Sequence, residues 1–211
     1  MLLIGDYLPS MTVQTTQGIK HLPEDYKGKW LILFSHPGDF TPVCTTEFVS
    51  FARNSETFKQ LNTELLGLSV DQVQPHMKWI EWIKDCLGEE IPFPIIADPM
   101  GKVANELGMI QPAKPSATVR AVFFVDPDSK IRMILYYPAE VGRNMEEIIR
   151  SLVALQIATE NKVAMPANWP NNELIGNQVI VPVANDIEEA KKNAEMYEHY
   201  DWWFAYKPLE S

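Results

Sequence analysis

Cys44 stands three residues beyond Thr41 and two beyond Pro42, a spacing that places a sulfur where a helix begins. Thr is a good N-cap residue and Pro the preferred first helical residue, so a helix should start at Pro42 with Cys44 in its first turn. There the sulfur faces unpaired backbone amides and the positive end of the helix dipole, which favours the nucleophilic thiolate. An ordinary thiol is ionised to only roughly a few per cent at pH 7, and making most of it reactive takes about two pKa units, at roughly 1.36 kcal/mol each. A helix terminus supplies about 0.3–1 kcal/mol, so this chemistry needs a cation brought from elsewhere in the chain. A lone cysteine beside an apolar helix face also suits a small buried hydrophobe, and spacing alone leaves both readings open.

The rest of the chain limits what that sulfur can serve. Among 211 residues, 18 Lys and Arg face 28 Asp and Glu, a net charge of −10. With no basic surplus, the sequence argues against nucleic acid and anionic membranes as partners. No apolar run approaches the roughly 18 residues of a membrane-spanning helix. The opening Met1-Leu2-Leu3-Ile4 is cut short by Gly5 and Asp6 and has no basic region, so it reads as the start of a folded domain rather than a signal peptide. The only other cysteine is Cys86, and the pair matches neither a CxxC redox motif nor a zinc site. Reduced thiols without a secretory signal point to the cytoplasm.

Several elements can position Cys44. Trp30 to Phe34 is a short apolar strand ending in the loop Ser35-His36-Pro37-Gly38. The helix after it should run from Pro42 to about Asn62, with Phe48, Phe51, Ala52 and Phe58 near one face. Strands are expected over Glu64–Val70 and Pro94–Asp98, with helices over Gln74–Leu87, Lys102–Leu107 and Met145–Glu160. Val119–Val125 and Ile131–Tyr137 flank the turn Asp126-Pro127-Asp128-Ser129 and should pair as an antiparallel hairpin. Strands alternating with helices imply an α/β sheet covered on both faces. The pattern breaks near Ala164, so the expected domains are 1–163 and 164–211. The second should hold a run over Gln178–Val183, an acidic helix from Asp186 to about Glu198, and the aromatic segment Tyr200 to Phe204. That segment is apolar enough to dock on its own core or on a partner subunit.

Pro37 through Cys44 reads P-x-x-x-T-x-x-C, which resembles the active-site motif of peroxiredoxins. The wider setting from Phe34 to Glu47 is similar to the one-cysteine, peroxiredoxin-6-like branch, closest to archaeal thiol peroxidases. The resemblance extends through Phe93–Asp98, Arg120–Phe123, Tyr136–Pro138, Val141–Arg143 and Trp169–Glu173. It implies a thioredoxin-like fold, a central mixed sheet flanked by helices, with a C-terminal dimerisation extension. It implies that Cys44 is the peroxidatic cysteine, that Thr41 hydrogen-bonds the peroxide, and that Pro37 shields the sulfur from water. Arg120 matches the arginine that supplies the missing cation, although by itself it reads as a solvated strand end. Glu47 and Arg143 match a pair that orients it, and by themselves read as surface charges. His36 matches the histidine before the motif proline, and a purely structural role suits it as well.

The activity so implied is antioxidant: a thiolate reduces hydrogen peroxide or an organic hydroperoxide, becomes a sulfenic acid, and is regenerated by a thioredoxin-like protein or a small thiol. The resemblance implies no metal, flavin or nucleotide cofactor, and a homodimer assembling into a decameric ring. Archaeal-type members often carry two further cysteines beside the Tyr-Asp-Trp-Trp-Phe segment, where this chain has His199 and Ala205. Only Cys86 is left as an internal resolving thiol, and its place beside Ile83 on a helix suggests a buried structural cysteine. Some relatives hydrolyse phospholipids through a Gly-x-Ser-x-Gly element, but Lys27-Gly28-Lys29-Trp30 has no serine. A holdase chaperone is the rival from another class. A disulfide reductase is disfavoured by the missing CxxC.

Overall fold

A computed structural model describes residues 2–111 and 114–209. The backbone divides into two compact units, Met1–Met145 and Glu146–Ser211. The division falls before the last long helix rather than after it at residue 163. Arg150, on that helix, donates to the Trp169 carbonyl at 3.2 Å, and the Trp169 indole donates to the Asn177 carbonyl at 3.0 Å.

The first unit opens with a hairpin of β1 (Met11–Thr15) and β2 (Gly18–Leu22). The sequence reading did not anticipate it, because Thr, Gln, Lys and His dilute the apolar alternation. Then come β3 (Trp30–Ser35), α1 (Pro42–Arg53), α2 (Ser55–Gln60), β4 (Thr63–Ser69), α3 (Val73–Leu87) and β5 (Ile95–Ala97). The expected single helix from Pro42 to Asn62 is two helices. The Asn54 side chain donates to the Ser50 carbonyl at 2.8 Å, and Asn54 itself leaves helical geometry, with φ −97° and ψ 4°. After α4 (Lys102–Leu107), a short pair, β6 (Ile110–Gln111) and β7 (Lys114–Thr118), leads into the hairpin of β8 (Arg120–Val125) and β9 (Ile131–Tyr137). That hairpin forms as expected. Asp126 closes its turn by accepting from the amides of Asp128 and Lys130 at 3.1 and 2.9 Å.

Seven strands make one mixed sheet in the order β2-β1-β5-β4-β3-β8-β9. β3 lies inside the sheet between β4 and β8, and all six of its residues are buried, as in a strand covered on both faces. It runs parallel to β4 and antiparallel to β8, pairing Leu33 with Leu66 on one side and with Phe123 on the other. One core cluster gathers Leu31, Leu33, Leu66, Leu68, Phe123 and Val125. A second layer is aromatic: Phe34 stacks on Phe51 of α1 at 4.0 Å, and Phe48 meets Trp79 of α3 at 4.7 Å. Full burial of such side chains contributes about 1.5–3 kcal/mol each, which fixes α1 and α3 where β3 ends.

The second unit contains α5 (Met145–Asn161) from its second residue onward, β10 (Val179–Ile180), α6 (Ile187–Met196), β11 (Glu198–Asp201) and β12 (Phe204–Lys207). The run expected over Gln178–Val183 is a strand over Val179–Ile180, and the Val181 amide after it still donates to the Ala205 carbonyl at 2.9 Å. The acidic helix is capped by Asp186, which accepts from the Glu189 amide at 2.8 Å. The aromatic segment is a hairpin whose tip is Trp202-Trp203, both about half exposed.

Candidate active site

Thr41 has extended backbone angles and Pro42 opens α1, so Cys44 occupies the third helical position, as its spacing requires. The Thr41 hydroxyl does not cap the helix. It donates to the Gly38 carbonyl at 2.9 Å, and the Thr45 hydroxyl donates to the Thr41 carbonyl at 2.8 Å. Cys44 is completely buried.

The cation comes from β8. Nη1 of Arg120 donates to the Cys44 sulfur at 3.3 Å and to Glu47 Oε2 at 2.7 Å, while Nε and Nη2 donate to the Ala139 carbonyl at 2.9 and 2.6 Å. Far from a solvated strand end, Arg120 is only 3% exposed. Glu47, one turn along α1 from the cysteine, also accepts from Arg143 through its backbone amide, Nε and Nη2 at 2.9, 2.8 and 2.8 Å. Arg143 anchors the assembly by donating Nη1 to the carbonyls of Ser35 and Ala121 at 2.9 and 3.0 Å. Its guanidinium also lies over the rings of Phe34 and Phe51 at 5.2 and 5.4 Å. Burial pushes the Glu47 carboxyl up, but the charge and hydrogen bonds of Arg143, helped by Arg120, hold it below the ordinary carboxylate range. Two guanidiniums around one carboxylate leave a net positive charge beside the sulfur.

His36 joins a different network. Its Nε2 lies 2.8 Å from Asp39 Oδ1, and Nδ1 of His76 on α3 lies 2.7 Å from Asp39 Oδ2. The Asp39 amide donates to Asp71 Oδ2 at 3.0 Å. Burial drives His36 below the ordinary histidine range, so it is neutral, and facing a carboxylate its Nε2 must carry the proton. Burial raises the Asp39 carboxyl, yet hydrogen bonds from His36 and His76 outweigh it and hold the group low. One ligand atom from each of His36, Asp39, Asp71 and His76 lies within 4.8 Å of the others, a cluster that could hold a metal ion. Tetrahedral zinc ligands sit about 3.3 Å apart, from bonds of roughly 2.0–2.1 Å, so the shorter His–Asp distances suit shared protons better. Asp39, Asp71 and His76 were not singled out in the sequence, where no spacing links Asp39 to a helix beginning over thirty residues later.

Pro37 opens the loop and is half-buried. Phe40, in the same loop, has φ 55° and is 56% exposed. The left-handed conformation costs a bulky residue roughly 1–3 kcal/mol and persists only where neighbours over-determine it. Cys86 departs from expectation: it is exposed, because the buried stripe of α3, His76, Trp79 and Ile83, ends before the last turn. His199 and Ala205 pair across β11 and β12. A cavity of about 600 Å³ lined in part by Lys20, Tyr26 and Glu64 shares no residue with the Cys44 site. Among the described residues no helix is long and apolar enough to cross a membrane.

Residues 4–134 match the AhpC/TSA family, and residues 154–195 match the C-terminal domain of 1-Cys peroxiredoxin. The chain is 61% identical to Peroxiredoxin 1 of Caldanaerobacter subterraneus subsp. tengcongensis, with all of both chains covered. It is 60% identical to a peroxiredoxin of Thermotoga maritima, over 98% of this chain and 97% of the relative. Among solved structures, the yeast mitochondrial 1-Cys peroxiredoxin superposes with a TM-score of 0.88 at 36% identity, covering 99% of this chain and 100% of that one. A cysteine-to-serine mutant of the peroxiredoxin 6 of Arenicola marina gives 0.87 at 33% identity, with both chains covered completely.

Proposed function

Because the chain belongs to the peroxiredoxin family and has its thioredoxin-like fold and thiol peroxidase activity, we propose that Cys44 is the thiolate that attacks peroxide. The observation that carries this is the Arg120 guanidinium, 3.3 Å from a sulfur in the first turn of α1. The sulfur attacks the terminal peroxide oxygen; the S–O bond forms as the O–O bond breaks. Hydroxide or alkoxide leaves and takes up a proton as water or alcohol, and Cys44 is left as a sulfenic acid. Arg120 and the Thr41 hydroxyl stabilise charge developing along the O–O bond. Pro37 limits water at the sulfur, Glu47 and Arg143 hold Arg120 in place, and His36 fixes the loop.

An external thiol then condenses with the sulfenic acid, releasing water, and a second thiol frees Cys44. The yeast 1-Cys relative is described as resolved via glutathione/thioredoxin systems, which supports a reductant of that class. Cys86 is a free thiol, exposed near the end of α3, and Cys86→Ser should leave most of the turnover. Reduced free thiols fit an antioxidant role in the cytoplasm. Exposed Tyr200, Trp202, Trp203 and Ile187 offer an apolar surface for a homodimer, the unit from which a decameric ring would be built. The test is peroxide consumption with dithiothreitol. Cys44→Ser should abolish it, and retained turnover would refute the assignment.

A further inference from the structure

The loop between β3 and α1 carries Pro37 and Thr41, and within it Asp39 meets His36 while the Thr41 hydroxyl donates to the Gly38 carbonyl. Phe40 sits at φ 55°, a conformation the loop would abandon without outside restraint. Three long-range side-chain bonds brace it from outside: the Thr118 hydroxyl donates to the His36 carbonyl at 2.6 Å, and two more join Asp39 to α3 and to the segment before it. The Asp39 carboxylate accepts from His36 and His76, and its amide donates to Asp71, itself held by the Ser69 hydroxyl at 2.7 Å. His76 is fully buried, and its Nε2 lies 3.2 Å from the Ile96 carbonyl of β5, so its ring is fixed at both nitrogens. The same helix supports the catalytic turn again, through the Trp79 indole, which donates to the Thr45 hydroxyl at 3.3 Å. The His36 ring lies between, 5.2 Å from Trp79 and 4.7 Å from Phe48.

We propose that His76 is a positioning residue for the peroxide reaction: from α3 its Nδ1–H holds the Asp39 carboxylate, and so keeps Thr41 in the geometry that receives peroxide beside Cys44. It touches neither sulfur nor substrate. This rests on the peroxidase assignment above and adds a residue outside the motif to it. The sulfur's own cation comes from β8, on a separate network. Loss of His76 should therefore impair peroxide reduction without impairing the nucleophile.

That separation can be measured. In a Cys86→Ser background, which removes the exposed thiol, stopped-flow oxidation by hydrogen peroxide is compared with alkylation by iodoacetamide. Alkylation needs the thiolate but not Thr41. His76→Phe keeps the ring volume and loses the Nδ1–H, His76→Gln places an amide nearer Nε2, and His76→Asn places one at Nδ1. The expected result is that the Phe and Gln variants lose at least tenfold in peroxide rate while alkylation holds or rises, and that Asn stays within threefold of the parent. Peroxide and alkylation rates falling together would mean His76 is merely structural. A folded Phe variant with full peroxide reactivity, or an Asn variant as slow as Phe, would overturn the proposal. If Phe does not fold, as circular dichroism would report, the contrast between Asn and Gln still decides. A parent protein that leaves peroxide untouched would instead overturn the peroxidase assignment, and the positioning role with it.

Discussion

Arg120 and Cys44 are 76 residues apart in the chain and 3.3 Å apart in the fold, joined by the antiparallel pairing of β8 with β3. The strand that ends at the catalytic loop is thus hydrogen-bonded to the strand that delivers the cation. Glu47 and Arg143 complete the set from α1 and from the loop after β9.

Arg120→Met should slow peroxide oxidation by about 100-fold, in the range seen when one charge-stabilising donor is removed. Because the Arg120 guanidinium touches the sulfur itself, iodoacetamide alkylation should slow with it, unlike in the His76 series. Stopped-flow kinetics on both reagents, in the Cys86→Ser background, check the pair of outcomes.

Thr41→Val should lose about 10²-fold or more in peroxide rate, whereas Thr41→Ser, which keeps the hydroxyl now donated to Gly38, should stay within tenfold of wild type. Equal rates for Val and Ser would show that the hydroxyl is idle.

Glu47→Gln leaves two buried guanidiniums without their anion and should cost about 3–5 kcal/mol at pH 7, measured by urea unfolding. The Glu47 carboxyl is held below its ordinary 4.5, so its stabilisation is full above that pH and is lost as pH falls through the folded value. The gap between wild type and Glu47→Gln should therefore narrow in acid below about pH 4.5 and not before.

His36 is pushed by burial below its ordinary 6.5, so the unfolded chain binds a proton there before the folded one does. Its contribution is complete above pH 6.5 and drains away below it, at up to roughly 1.36 kcal/mol per pH unit, until the folded value is reached. His36→Gln keeps a donor toward Asp39 and removes the titration, so its stability should fall less than wild type between pH 6.5 and 5. Parallel curves would contradict a neutral buried His36.

Local rules made much of this legible. The N-cap Thr41, Pro42 and apolar β3 locate the sulfur, and the Asp126–Ser129 turn predicts the hairpin that carries Arg120. That Arg120, Glu47 and Arg143 belong with Cys44 came from the motif's resemblance, because charged residues on a strand, a helix and a loop give no local sign of converging. The Asp39–His76 contact was missed for the same reason. The break at Asn54 was missed because Phe58 continues the helical spacing across it, and a side-chain bond to the Ser50 carbonyl decides the matter. Cys86 was misplaced because helical periodicity says which face a residue is on, not how far along the helix the core reaches.

Cys44 has no solvent-exposed surface. A molecule little larger than water can reach such an atom through small side-chain movements, but a thiol mounted on another protein needs its own backbone alongside. The enclosure therefore works as a sieve that separates the two halves of the turnover. A protein-borne thiol therefore requires a larger displacement of the chain around Cys44 than a small peroxide or a small thiol does.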